Sequence, residues 1–174
     1  VCFSAKYFYG PNAGGFLAGR TDLIEAVTDL DFTGYESGRY LTFGRPFKMD
    51  RTTIVATVLA LQEWLTMDHD ARWASYGRRV LALQAALADL PGLHARPAQF
   101  TLDERLIDAA PNALVLRPGS AAAATAMEDA LATGTPRLLC VREGEELVVC
   151  VETVPEADDA TVAERLRSAA EGPA

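Results

Sequence analysis

Lysine is scarce in this chain: only Lys6 and Lys48 carry an ε-amine among 174 residues. Lys6 closes an apolar run, Val1-Cys2-Phe3-Ser4-Ala5, and is followed by Tyr7-Phe8-Tyr9 and then Gly10-Pro11-Asn12-Ala13-Gly14-Gly15. An amine in mostly apolar surroundings loses the solvation that stabilises its ammonium form and becomes available as an imine-forming nucleophile. A glycine-rich loop lets backbone N–H groups approach a phosphate closely, because no side chain intervenes. A lysine beside a phosphate cradle meets both attachment needs of pyridoxal 5′-phosphate. Taken alone, a strand-end lysine pointing to solvent is the simpler reading.

Other chemistry-bearing residues are less suggestive. His69 sits in Asp68-His69-Asp70 between two helical patterns, and His94 follows the Pro91-Gly92 turn. A metal site wants two or three ligands at one face's spacing, and neither histidine has such a neighbour, so no metal is expected. Two isolated histidines also argue against a Ser-His-Asp or Cys-His hydrolase. Cys2, Cys140 and Cys150 are odd in number and lack a Cys-x-x-Cys pair, which fits a reducing compartment rather than a disulfide framework. Glu143, Glu145 and Glu146 surround a hairpin turn and read as a solvated loop.

These residues need a scaffold, and the pattern of the chain predicts one. Residues 1–9 read as a short strand running into the glycine loop, 16–19 as a second brief strand and 22–27 as a short helix. After an irregular stretch over 29–45, Thr52 or Thr53 is expected to cap a long helix. Its apolar side would be Ile54, Val55, Val58, Leu59, Leu61 and Leu65. A second helix is expected over 71–90, with Trp73, Tyr76, Val80, Leu81, Leu83 and Leu87 inward, stopped by Pro91-Gly92. Strands near 93–102 and 113–116, a helix at 121–131, a hairpin of 137–141 with 146–151, and a helix at 159–170 complete a small α/β layer.

Length predicts one domain and a fraction. With 16 Lys+Arg against 24 Asp+Glu the formal net charge is −8, and the basic residues are scattered, which argues against a nucleic-acid partner. No apolar run approaches the length of a membrane span, so the chain reads as soluble and cytoplasmic. It opens at Val1 rather than Met, in mid-strand, and so reads as part of something longer.

The segment from Phe3 to Arg20 resembles the cofactor-lysine segment of fold-type I pyridoxal-phosphate enzymes. Within them it is most similar to the group of bacterial selenocysteine synthase and D-glucosaminate-6-phosphate ammonia-lyase. That group carries Phe-Ser-Gly-x-Lys and then Gly-Pro four and five residues after the lysine, the offset of Gly10 and Pro11 from Lys6. Gly44-Arg45-Pro46-Phe47-Lys48-Met49 resembles the Arg-Pro-x-Lys-like segment that leads into the helix joining the large and small domains. The approach to Lys6 is one residue shorter than the group's, and Thr42 stands where selenocysteine synthases have an arginine paired with Arg45. The Thr42 departure, with the acidic charge balance, points away from a seryl-tRNA substrate.

The resemblance implies an α/β fold: residues 1–48 as the end of a cofactor-binding large domain, and 49–174 as linking helices and a small C-terminal domain with a mostly antiparallel sheet. It implies Lys6 as the aldimine-forming catalytic lysine, with Ser4, Gly10, Asn12, Ala13 and Gly14 near pyridoxal 5′-phosphate. Arg45, and secondarily Arg39, would clamp the carboxylate or phosphate of a small amino substrate. The chain would then be the C-terminal portion of a lyase or transferase, working with the missing N-terminal portion as a homodimer or higher oligomer. Two other readings stay open. One is a non-catalytic assembly or regulatory subunit that keeps the fold and dimer surface; the other is an unrelated α/β ligand-binding domain.

Overall fold

The computed structural model describes residues 1–31, 44, 46, 48–100 and 108–172, and the chain divides into two compact units, Val1–Met67 and Asp68–Ala174. Its architecture is mixed α/β, as the sequence predicts.

In the first unit, β1 (Cys2–Ser4) and β2 (Gly15–Leu17) form an antiparallel ribbon with Phe3 opposite Phe16. Those two rings stack at 4.8 Å, a cross-strand aromatic pair of the kind that stabilises a ribbon otherwise too small to hold itself. The expected nine-residue strand ends at Ser4, and Ala5–Phe8 coil into a 3-10 turn. The cause is local. The Ala5 N–H donates to Gly14 O at 2.9 Å and Ala5 O accepts the Gly10 N–H at 2.8 Å, so the chain bends back over itself. Helix α1 (Thr21–Thr28) follows.

Helix α2 (Arg51–Thr66) closes this unit. Asp50, and not Thr52 or Thr53, is its N-cap: the carboxylate accepts the Thr53 N–H at 2.9 Å and the Thr53 hydroxyl at 2.6 Å. An aspartate just before the first turn reaches both donors at once, which leaves the threonines inside the helix. The face of α2 is also, Leu61 apart, the reverse of the one expected. Thr57 is buried and Thr53, Ala56, Ala60, Leu61 and Trp64 are half-buried, whereas Ile54, Val55, Val58, Leu59 and Leu65 are 48–74% exposed. Small residues line the inner side because the Lys6 turn approaches there.

The second unit begins with α3 (His69–Ala86), capped by Asp68, whose carboxylate accepts the Ala71 N–H at 2.9 Å. The helix ends earlier than expected, but Leu87 and Leu90 are still buried as the chain turns at Gly92, whose φ is 76°. Four strands follow: β3 (Leu93–Ala98), β4 (Ala113–Pro118), β5 (Val141–Glu143) and β6 (Glu146–Cys150). They lie in the order β3-β4-β6-β5, every pairing antiparallel. Helix α4 (Ala121–Thr133), capped by Ser120, and α5 (Asp159–Glu171) complete the layer.

Strand alternation sends Leu114, Leu116, Leu147 and Val149 into a core with Val80, Leu83 and Leu87 of the α3 region, Met127 and Leu131 of α4, and Leu166 of α5. Each such fully buried side chain contributes about 1.5–3 kcal/mol, so this unit carries a substantial core of its own. Arg79 crosses its edge. The guanidinium is forked onto Asp159 at 2.7 and 2.8 Å and donates to Val151 O at 3.0 Å and Val154 O at 2.8 Å. The hairpin is tighter than predicted, with Glu143 opposite Glu146 and Gly144 at φ 62° in the turn.

Candidate functional site

A 3-10 turn has three residues per turn, so positions three apart share a face. In the turn after β1, Ala5 and Phe8 therefore point inward and are buried, while Lys6 and Tyr7 point outward and are exposed. The Lys6 amine stands over the Tyr7 ring, 5.1 Å from its centroid. The apolar surroundings supposed for the lysine are thus not supplied by the described residues of this chain. Its frame is nevertheless rigid, since both backbone groups of Ala5 are bonded across the loop.

The glycine loop returns beneath this turn. Gly10 passes so close that an added Cβ would stand 2.8 Å from Ala5 Cβ and 3.3 Å from Ala60 Cβ of α2. A Cβ on Gly14 would overlap the Thr57 hydroxyl. These glycines are needed for close packing of the lysine turn onto α2, a reason distinct from phosphate access. Their amides are occupied as well: the Gly10 N–H bonds Ala5 O, and the Gly14 N–H bonds Pro11 O at 2.9 Å. Asn12 and Ala13 form the exposed tip between them. Ser4, half-buried, lies opposite Gly15 at the end of the ribbon. Ser4, Ala13 and Gly14 line an open hollow of about 630 Å³, together with Phe16, Ile24 and Val27.

Ser4, Lys6, Gly10, Asn12, Ala13 and Gly14 are therefore brought together in one loop. Arg45 and Arg39 lie outside the described residues. Sequence reasoning missed the contribution of α2: Thr57, Ala60 and Trp64 receive the loop. Tyr9 was missed too; at φ 62° it is the one non-glycine residue with positive φ among the described residues. The small side chains at 56, 57 and 60 were the available signal for a closely approached helix face.

A second hollow, about 650 Å³, lies on the sheet of the other unit, lined by His94, Arg96, Arg117, Glu145 and Glu146. Its arginines are already paired, Arg96 with Glu146 at 3.0 Å and Arg117 with Glu145 at 3.6 Å, which leaves little net charge for a ligand. Among the described residues no group of three or more His, Cys, Asp or Glu side chains could hold a metal ion. None of their helices is long and apolar enough to cross a membrane.

The fold is similar to one already solved. The solved structure of D-glucosaminate-6-phosphate ammonia-lyase matches 97% of this chain with a TM-score of 0.69, at 23% sequence identity. A Streptomyces sp protein, 5′-C-glycyluridine monooxygenase-decarboxylase, is 29% identical over 99 residues, or 57% of this chain. The chain spans less than half of either: 42% of the ammonia-lyase and 23% of the monooxygenase-decarboxylase. No family model matches the chain.

Proposed function

We propose that this chain is the C-terminal portion of a pyridoxal 5′-phosphate-dependent lyase or transferase acting on a small amino acid or amino sugar. The observation that carries the reading is the placement of Lys6. One of only two lysines in the chain, it is held outward on a bonded turn beside a glycine loop, in a fold shared with an ammonia-lyase.

The residues present fit the cofactor in part. Lys6 Nζ is exposed and suits covalent attachment; the Ser4 hydroxyl and the Asn12–Ala13 tip suit its phosphate. Gly10 and Gly14, with their amides engaged, shape the loop instead of contacting the ligand. When bound, the cofactor supplies an electron sink for charge released at the substrate α-carbon. Lys6 Nζ would take and return the proton of that carbon as general base and acid. Arg45, or secondarily Arg39, holds the substrate carboxylate or phosphate.

The chain works in a larger assembly. Helix α1 buries none of its residues and α2 turns its aliphatic side outward, surfaces suited to the remainder of the enzyme and to a second copy. In the resemblance, the acidic partner for the pyridine nitrogen and the group over its ring belong to that remainder. The odd number and the spacing of Cys2, Cys140 and Cys150 are the grounds for proposing a cytoplasmic setting. The same outward α2 face favours a second reading, a non-catalytic assembly or regulatory subunit.

Titrating pyridoxal 5′-phosphate into the assembled protein separates the two. The enzyme reading expects a visible absorbance band that Lys6→Ala abolishes and Lys48→Ala retains. Equal spectra from the two variants would overturn it.

A further inference from the structure

We propose that Tyr9 is a positioning residue for Lys6, acting through its ring on Trp64 of α2; this rests on the reading of Lys6 as the cofactor lysine. A bulky residue at φ 62° and ψ 18° sits in the left-handed region that side chains other than glycine rarely occupy. Glycine would relieve that conformation, and the chain places its glycine one residue later, where φ is not positive. The side chain at position 9 therefore contributes something that outweighs backbone strain.

Its contact shows what that is. The Tyr9 ring meets Trp64 edge to face, with centroids 5.6 Å apart and planes at 71°. This is the favourable geometry for an aromatic pair. At its other end Tyr9 closes the turn: its own N–H and that of Gly10 both converge on Ala5 O. Lys6 lies between these fixed points, after Ala5 and before Tyr9. Anchoring Tyr9 to a sixteen-residue helix thus fixes the direction in which the lysine leaves the turn. The exposed Tyr7 ring beside the amine has no comparable anchor among the ring pairs of the described residues.

The two lysines provide an internal calibration for the test. The assembled protein is treated with pyridoxal 5′-phosphate and borohydride across a range of pH, and the Lys6-to-Lys48 labelling ratio is read by peptide mapping. Amide hydrogen exchange at Gly10 is measured on the same proteins. Tyr9→Phe keeps the ring and should match the parent in both. Tyr9→Gly and Trp64→Leu should lower the ratio severalfold, shift its pH midpoint and speed Gly10 exchange about tenfold, with the unfolding midpoint little changed. Unaltered ratio and exchange in both variants would overturn the proposal. A parent ratio near one at every pH would overturn the cofactor reading, and the exchange data would still decide the clamp.

Discussion

Gly14 of the lysine loop lies against Thr57 of α2 so closely that a methyl group on Gly14 would overlap the threonine hydroxyl, which itself donates to Thr53 O at 2.8 Å. That single approach joins the glycine loop to the only buried residue of α2. It also explains why a threonine, and not a larger aliphatic residue, occupies the inner face of a helix rich in leucine and valine.

Gly14→Ala should therefore be destabilising by about 1–3 kcal/mol, the usual cost of overpacking. The added methyl must either push the loop outward or turn Thr57 away from Thr53 O. In a Thr57→Ala background most of that cost should vanish, because the obstructing atom is gone. Denaturant unfolding of the four proteins of this cycle checks the coupling; strictly additive effects would refute the contact.

Arg79 makes a different kind of join, between α3 and the start of α5. Its removal in Arg79→Met strands the Asp159 carboxylate and the carbonyls of Val151 and Val154. Breaking a pair of this kind costs about 3 kcal/mol or more. Arg79→Lys should recover only a fraction, since an ammonium cannot make the two-pronged bond. Trp73 fluorescence in a Trp64→Phe background reports unfolding of this unit.

The Asp50 cap has a pH signature. Hydrogen bonds from the Thr53 hydroxyl, then from its backbone N–H, hold the Asp50 carboxyl below its ordinary value. A lowered folded value means the ionised form favours folding. That contribution is complete above the ordinary carboxylate pKa of about 3.9 and is lost as pH falls through the lower folded value. The difference in Tm between the parent and Asp50→Ala should hold from pH 7 to pH 5 and close on further acidification.

Thiol reactivity should follow burial. Burial, reinforced by the Glu128 carboxylate, pushes the Cys140 thiol up to about 11, and burial raises Cys150 as well. Cys2 is exposed. Iodoacetamide at pH 8 should therefore modify Cys2 first and Cys140 last, with all three labelled once the chain is unfolded. Peptide mapping against time tests the order.

Much of this was legible because it is local. Ser120 before an alanine run and Gly144 between alternating strands each act on their immediate neighbours, and the elements fall close to where those residues put them. Lys6 and its glycine loop were legible as residue types. What could not be read was the part settled by distant partners. The inner face of α2 is chosen by a loop some forty residues earlier, so counting its aliphatic side chains selected the outer face. Arg79 looked like one scattered charge until Asp159 was brought to it across the fold. The strand through Lys6 looked continuous because its composition is apolar, whereas the bonds of Ala5 to Gly10 and Gly14 bend it after Ser4.

The central claim is that Lys6 carries the cofactor, and borohydride reduction of the intact assembly tests it most directly. Reducing the protein as purified, without added cofactor, and mapping its peptides should reveal a phosphopyridoxyl group on Lys6 and none on Lys48. An unmodified Lys6, in a protein without visible cofactor absorbance, would contradict the account.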